Sequence, residues 1–316
     1  MKNIFDSVYE FFFNEKKIEF DDMTFVYSHK YNLPLEGHVF PAVKYEQLFS
    51  LISLDEELGK IEVHYPEAIG REDLELVHKK SYIEDLFLLK STPEIQKSEL
   101  PLNSSILEAF LYGVGGTVLA TELTNQHQFV FNIGGGYHHS YSDHAEGFCY
   151  LNDVAVAATL HLKKFPENKI LIIDLDVHQG NGNSKIFQKE PRVYTFSMHQ
   201  ENLYPIKEKS NFDVGLQIGC GDMEYLNILD ESLEKIYTDF QPTLIYYIAG
   251  ADPYEDDRLG SLKLTVNGLM KRDRKIKEFA RKVNSKVVIV TAGGYANNTM
   301  DTVQIHLNTA KEFYRK

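Results

Sequence analysis

The chain has few cysteines and no net positive charge. Its 316 residues include two cysteines, Cys149 and Cys220, and 33 Lys and Arg against 46 Asp and Glu. Both cysteines lie near glycines in largely apolar surroundings without a CxxC pair, so we expect reduced thiols in a reducing compartment and no disulfide scaffold. The formal net charge of -13 is a poor basis for sequence-independent nucleic-acid binding, which requires neutralisation of phosphates.

Long hydrophobic runs are scarce as well. Near the start, Phe11–Phe13 is followed at once by polar and charged residues, so no apolar core of signal-peptide length forms. No stretch approaches the ~20 apolar residues of a membrane span. We find no internal repeat, no low-complexity tract and no linker rich in Pro, Gly or Ser. We therefore expect one folded domain in the cytoplasm, without a membrane span.

Short apolar runs alternate with stretches of helical periodicity along most of the chain. The predicted strands are Phe129–Ile133, Lys169–Leu175, Arg192–Ser197, Thr243–Ala249 and Lys286–Thr291. The predicted helices are Ile106–Leu123, Leu151–Lys164, Glu224–Phe240, Val266–Lys282 and Thr302–Phe313. Runs that are apolar on both faces are typical of buried parallel strands. Strands alternating with helices predict an α/β domain with a parallel sheet.

Glycine-rich or acidic and histidine-containing clusters follow the ends of four of these strands. They occupy residues 134–139, 174–182, 249–253 and 291–295. Glycine and aspartate also favour turns, so any one cluster alone fits a plain turn. Four clusters at the carboxyl edge of one parallel sheet, where ligands bind in such folds, indicate a functional site.

The second and third clusters carry a candidate metal site. Asp174, Asp176 and His178 point to one side of an extended strand end, where two carboxylates and an imidazole would be unfavourable without a cation. This oxygen and nitrogen set suits Zn²⁺ or another divalent first-row metal. Asp252 is the natural third protein ligand, and three ligands leave an open position, as in catalytic sites.

The first and fourth clusters add proton-transfer and hydrogen-bonding groups. His138 and His139 follow a triple-glycine turn, from which both rings can project into a cleft. Tyr295 lies on a double-glycine turn and can donate its hydroxyl to an oxyanion. The alternative is that these side chains are only packed, which is common for tyrosine in a chain that has 19 of them.

Five motifs in this order resemble those of the metal-dependent histone deacetylases. They are GGGYHH (134–139), GFCYLND (147–153), IDLDVHQGNG (173–182), AGAD (249–252) and GGY (293–295). HQGNG and the segment DRLG at 257–260 are most similar to class IV and its bacterial homologues. The resemblance implies a single arginase/deacetylase α/β domain over residues 21–316, with a central, largely parallel sheet flanked by helices, and an N-terminal extension at 1–20.

The resemblance also assigns roles to individual residues. The implied metal ligands are Asp176, His178 and Asp252, for Zn²⁺ or alternatively Fe²⁺. The implied catalytic groups are His138, His139, Asp174 and Tyr295, and the residues implied to line the acyl-lysine channel are Gly147 and Phe148. A structural K⁺ is implied near the residues Asp174, Asp176, His178, Ser197 and Met198.

Asn181 departs from the family pattern. It occupies a position at which many class I members carry an aspartate behind the second histidine. A neutral amide there should hold the His139 ring without raising its basicity as a carboxylate would.

The implied activity is removal of acetyl or longer fatty acyl groups from the lysine ε-amine of a protein or peptide, by water activated at the metal. One alternative is deacetylation of small N-acetylated amines such as polyamines. A second alternative, from another class, is a non-catalytic module that binds acyl-lysine; such a module would be expected to lose Tyr295 or a metal ligand. The sequence carries no indication of an oligomeric state.

Overall fold

One parallel sheet organises the protein. The computed structural model describes residues 23–35 and 37–314, so the predicted extension at 1–20 lies outside the described residues. In that part of the chain eight strands form one sheet in the order β2-β1-β3-β8-β7-β4-β5-β6, and every neighbouring pair is parallel. The strands are β1 (Thr24–Val26), β2 (Val63–His64), β3 (Phe129–Asn132), β4 (Ile170–Asp174), β5 (Val193–Gln200), β6 (Phe212–Leu216), β7 (Leu244–Ile248) and β8 (Lys286–Val290).

A helix lies between every two consecutive strands except β5 and β6, which a loop at residues 201–211 joins. The helices are α1 (Lys44–Leu54), α2 (Arg71–Leu74), α3 (Lys80–Phe87), α4 (Pro93–Gln96), α5 (Ser104–Leu123), α6 (Asp153–Lys164), α7 (Asn181–Phe187), α8 (Asp222–Asp239), α9 (Val266–Lys282) and α10 (Thr299–Tyr314). The predicted α/β class is confirmed, and each of the five predicted strands and five predicted helices has a counterpart within a few residues.

Three strands were not predicted from the sequence. β1 and β2 contain three and two residues, which is too short for a periodic signal. β6 lies at the edge of the sheet, and its residues alternate between partly exposed and exposed before the buried Leu216. The prediction rested on runs that are apolar on both faces, a pattern that an edge strand does not show.

Both faces of the sheet are buried. Along β4, Leu171 and Ile173 belong to one apolar cluster, whereas Ile170 and Ile172 belong to the other. All five residues of β4 and all five of β7 are buried. The carboxyl ends of these two neighbouring strands therefore meet in the middle of the sheet, in a region already shielded from solvent.

Helix α5 corrects one expectation from the sequence. Among the described residues it is the one helix that is long and apolar enough to cross a membrane. However, 67% of its most apolar stretch is buried inside the protein. The expectation that no stretch of the chain approaches that length is therefore wrong. The stretch GVGG at 113–116 explains part of its packing, because a Cβ added at Gly115 would lie 2.0 Å from the carbonyl oxygen of Glu67.

A buried ion pair supports the carboxyl end of β7. Arg272 of α9 is fully buried, and its Nη1 donates to the carbonyl oxygen of Gly250 at 2.6 Å. Its Nη2 lies 2.9 Å from Oδ1 of Asp273, a carboxylate that also accepts from the hydroxyls of Tyr247 and Thr309. The opposite charges of Arg272 and Asp273 compensate each other although Nη2 of Arg272 makes no hydrogen bond to any residue that the structure describes, and the bond from Nη1 to Gly250 holds the turn after β7.

A neutral histidine links two loops beside the sheet. The Nδ1 of His78 lies 2.9 Å from the carbonyl oxygen of Tyr141 and therefore donates to it, while Nε2 accepts from the backbone N–H of Asn152 at 3.1 Å. These two bonds require an uncharged ring. Burial lowers the pKa of His78 to about 4.

We predict that His78 makes the protein less stable in acid. The unfolded chain takes up the proton near pH 6.5 and the folded ring only near pH 4, so the free energy of unfolding falls as the pH drops between these values. At pH 5 the loss from this group is about 2 kcal/mol relative to neutral pH. Urea unfolding of the wild type and of His78→Gln at pH 7 and pH 5 measures it. Equal pH dependence in the two proteins would contradict the prediction.

Candidate metal centre and active site

The three predicted metal ligands converge at the carboxyl edge of the sheet. Asp176 and His178 follow β4, and Asp252 follows β7, the neighbouring strand. Nδ1 of His178 lies 3.1 Å from Oδ1 of Asp176 and 3.3 Å from Oδ2 of Asp252. One ligand atom from each residue lies within 4.8 Å of the other two, and all three residues are buried. The sequence prediction that these side chains lie together is thus matched by their positions.

The charges of this triad fit a divalent cation. Burial and the nearby Asp176 raise the pKa of Asp252 to about 7, because two buried carboxylates side by side are unfavourable when both are charged. Within the described residues, Oδ2 of Asp252 accepts no hydrogen bond. Burial alone would lower the pKa of His178, but the two carboxylates raise it to about 10. A metal ion held by the three residues would satisfy the unpaired oxygen and replace the proton.

Backbone amides and glycines hold the carboxylates in place. Val177 N–H donates to Oδ1 of Asp252 at 2.8 Å, and Gly293 N–H donates to Oδ2 of Asp176 at 2.9 Å. A Cβ added at Gly293 would lie 2.2 Å from Oδ2 of Asp252, so this position has no room for a side chain. The fourth cluster therefore contributes a close backbone approach to the metal ligands in addition to its tyrosine.

His138 is paired with a buried carboxylate. Its Nδ1 donates to Oδ2 of Asp174 at 2.7 Å, and its ring centroid lies 4.0 Å from that of His139. Burial opposes a charge on His138, but Asp174 and Asp176 outweigh it and raise the pKa to about 9. The paired carboxylate therefore favours the charged form of His138.

His139 has the opposite character. Its Nδ1 lies 2.8 Å from Oδ1 of Asn181, an amide oxygen that can only accept, so Nδ1 carries the hydrogen. Burial, followed by the charges of His138 and His178, lowers the pKa of His139 well below its usual value. The ring is therefore neutral, with Nε2 unprotonated. The structure places Asn181 behind His139, where the sequence analysis expected it.

An open pocket leads to these groups. It has a volume of about 260 Å³. It is lined by Glu99, His139, Gly147, Phe148, His178, Leu203, Tyr204, Leu259 and Tyr295. Tyr295 is held by its backbone, because its N–H donates to Oδ2 of Asp257 at 2.6 Å. Burial raises the pKa of its hydroxyl well above the usual value, so the hydroxyl keeps its proton and can donate it in a hydrogen bond.

The predicted channel residues lie on a tight turn. Gly147 and Phe148 both have positive φ values, 49° and 62°, and Glu146 and Cys149 form an isolated antiparallel bridge around them. A Cβ added at Gly147 would lie 2.6 Å from the ring of His139. The two cysteines of the chain are both buried and free, as the sequence predicts, and neither lines the pocket.

Four residues of the pocket wall were missed by the sequence analysis: Glu99, Leu203, Tyr204 and Leu259. Glu99, Leu203 and Tyr204 lie in loops without a short motif, whereas Leu259 lies in the DRLG segment at 257–260, to which the sequence assigned no role in the pocket. Tyr204 is the most central, with its ring centroid 5.5 Å from that of His139 and 6.3 Å from that of His178. No signal in the sequence distinguishes it from the other 18 of the 19 tyrosines.

The residues predicted around a monovalent cation also lie together. Asp174 at the end of β4 pairs in register with Ser197 on β5, and Met198 is the next residue along β5. Asp176 N–H donates to Oδ1 of Asp174 at 3.2 Å, and Ser197 Oγ bonds with Nδ1 of His199 at 2.9 Å. The K⁺ itself stays a prediction.

Comparison with known proteins agrees with this architecture. A family model described as the histone deacetylase domain matches residues 38–310. An uncharacterised protein of Picosynechococcus sp. is 38% identical over 284 residues, which are 89% of this chain and 95% of that protein. Histone deacetylase 2 of Arabidopsis thaliana is 30% identical over 292 residues, which are 88% of this chain and 76% of that protein.

The same likeness holds in three dimensions. The crystal structure of the HDA15 HD domain matches with a TM-score of 0.78 at 22% identity, and the match covers 93% of this chain and 91% of that one. The fold is thus the arginase/deacetylase fold that the sequence motifs imply. With a family model that spans most of its length and relatives that align along nearly all of it, this chain belongs to the histone deacetylase family.

Proposed function

We propose that the protein is a zinc-dependent deacetylase that hydrolyses the amide of acetyl-lysine in proteins or peptides. The observation that carries the proposal is the convergence of three kinds of group on one pocket. His178 of the metal-ligand triad, the neutral His139 and the hydroxyl-bearing Tyr295 all line the same cavity of about 260 Å³. Each group has a defined task in amide hydrolysis.

Each residue has its own task in the proposed reaction. A zinc ion held by Asp176, His178 and Asp252 supplies Lewis acidity that polarises the amide carbonyl and the attacking water. His139 accepts a proton from that water on Nε2 and later delivers it to the leaving lysine amine. Tyr295 donates its hydroxyl hydrogen to the oxyanion that develops on the former carbonyl oxygen. His138, charged and paired with Asp174, stabilises negative charge nearby.

The space beyond the histidines favours a short acyl group. A small cavity of about 20 Å³ is lined by residues that include Gly135 and Gly136 of the glycine turn, Phe40 and Tyr295. A cavity of this size holds about one water-sized group. The methyl of an acetyl group fits such a space, whereas a long fatty chain would have to displace buried side chains. We therefore favour acetyl over the longer acyl groups that the class IV resemblance also allows.

A second substrate class has one observation in its favour. The acidic residue Glu99 is among those that line the pocket, and its negative charge would attract a cationic amine. Small N-acetylated polyamines carry such amines. The same catalytic groups would serve this reaction without change.

We predict that turnover falls as the acyl chain lengthens. The assay compares one lysine peptide carrying acetyl, butyryl, octanoyl and myristoyl groups, with N-acetylputrescine as a small substrate and zinc content measured on the same sample. We expect the acetyl peptide to give the highest kcat/KM. Turnover that rises with chain length would contradict the acetyl preference, and higher kcat/KM on N-acetylputrescine would favour the second substrate class. No turnover with zinc fully bound would support the acyl-lysine binding module.

We predict that Tyr295→Phe loses most turnover and keeps its metal. The ring still packs against Phe148, at a centroid distance of 6.1 Å, but the donor to the oxyanion is gone. Loss of one such donor lowers kcat roughly 10²- to 10³-fold. Steady-state kinetics and zinc analysis of the variant measure both effects. Wild-type kcat in this variant would refute the assigned role.

We predict that Asp252→Asn lowers zinc affinity and activity together. The amide keeps an oxygen that can accept from Val177 N–H, so the fold is preserved while a charged ligand is lost. Zinc content after gel filtration and thermal unfolding of the same samples measure the effect. Asp256→Asn is the matched control, because Asp256 is exposed in the same segment and its carboxylate contacts Asn297 instead. Full zinc occupancy in Asp252→Asn would contradict the ligand assignment.

A further inference from the structure

Asn181 is the hydrogen-bond partner of His139, and its orientation determines which nitrogen of that ring carries hydrogen. The side chain is fully buried. Its Oδ1 lies 2.8 Å from Nδ1 of His139 and 3.1 Å from the N–H of Gly182. With Oδ1 facing His139, Nδ1 must be the donor, so Nε2 faces the pocket with a free lone pair. If the amide were flipped, its NH₂ would face Nδ1 and stabilise the tautomer protonated on Nε2.

Two groups contact the other end of the amide. Nδ2 of Asn181 donates to the hydroxyl oxygen of Tyr141 and to Oε1 of Glu146, both at 3.1 Å. A hydroxyl can donate or accept, so Tyr141 tolerates either orientation of the amide. A carboxylate only accepts, so Glu146 requires the NH₂ group on its side. The N–H of Gly182 favours the same orientation because it donates to Oδ1 of Asn181. The bond from Nδ2 of Asn181 to the Glu146 carboxylate is charge-assisted.

Glu146 is itself well fixed. Its backbone N–H donates to the carbonyl oxygen of Cys149 at 3.1 Å, and Cys149 N–H donates back at 2.9 Å. Oε2 lies 3.5 Å from Nε2 of His144, and the nearby Tyr204 hydroxyl also favours the charged form of the carboxylate. Burial opposes the charge, but these donors and Asn181 together lower the pKa of Glu146 below its usual value. The carboxylate therefore stays ionised near neutral pH.

We propose that Glu146 is a positioning residue whose carboxylate orients the Asn181 amide and thereby holds His139 as the Nδ1–H tautomer, with Nε2 available for proton transfer. No motif used in the sequence analysis includes Glu146, and it does not touch His139. The inference rests on the proposed function, in which His139 moves the proton. In this chain the partner of the histidine is a neutral amide, and Glu146 places a negative charge one hydrogen bond further out.

The first variant to measure is Glu146→Ala in the full-length, zinc-loaded protein. We expect kcat on the acetyl-lysine peptide to fall roughly 10- to 100-fold, in the range typical of groups that orient a site residue through one intermediate. KM, zinc content and the thermal midpoint should change little. Glu146→Gln should recover most of kcat, because its amide oxygen can accept the same bond from Asn181.

Glu208→Ala is the matched control. Glu208 contacts the Tyr141 hydroxyl at 3.5 Å, so it belongs to the same network without touching Asn181. We expect wild-type kcat for this variant. Loss of kcat in Glu208→Ala equal to that in Glu146→Ala would indicate a general effect of acidic groups and overturn the proposal.

Two further measurements separate positioning from a purely structural role. In the Asn181→Ala background, Glu146→Ala should lower kcat no further, because the amide through which it acts is gone. A further loss as large as in the wild-type background would overturn the proposal. The ¹⁵N resonances of the His139 ring, assigned with His139→Ala, should show Nδ1 protonated in the wild type and a mixture of tautomers in Glu146→Ala. An unchanged tautomer would overturn the proposal even if the protein had no deacetylase activity, so the two failures are distinguishable.

Discussion

Two carboxylates buried side by side are the constraint on which the rest of this structure depends. Asp176 and Asp252 are both buried, and burial together with the charge of Asp176 raises the pKa of Asp252. Their positions follow from the sheet, since β4 and β7 are parallel neighbours whose carboxyl ends meet. Backbone N–H groups from Val177 and Gly293 stabilise the two charges, and a divalent cation held there would complete the compensation.

The same constraint separates the properties of the two histidines. Asp174 pairs with His138 and favours its charged form, whereas His139 bonds to a neutral amide, and burial and charged neighbours disfavour a charge on its ring. Two adjacent residues of one type thus acquire different chemistry from their partners alone. The buried pair of Arg272 and Asp273 serves the site indirectly, because it fixes Gly250 and the turn that leads to Asp252.

Most of the candidate site residues that follow the strands could be predicted from the sequence, for a physical reason. Asp174, Asp176 and His178 follow an unmistakable buried strand, and alternation along an extended chain puts them on one side. Parallel pairing then brings Asp252 to the same edge. Glu146, Tyr204 and Glu99 could not be predicted, because they lie on loops whose paths are set by packing between distant segments. The strands β1 and β2 were missed because two or three residues carry no periodicity.

The turn from Glu146 to Cys149 constrains how the substrate selectivity of this protein can evolve. One four-residue segment supplies a wall of the pocket, through Gly147 and Phe148, and the carboxylate proposed to orient Asn181. Altering that wall to admit a different substrate shifts the carboxylate as well, so selectivity and reaction rate are tied together on this side. Leu203 is not part of that turn, whereas the N–H of Leu259 donates to Asp257, the residue that also holds the backbone of Tyr295. Divergence toward new substrates should therefore accumulate at Leu203 before it reaches the turn or Leu259.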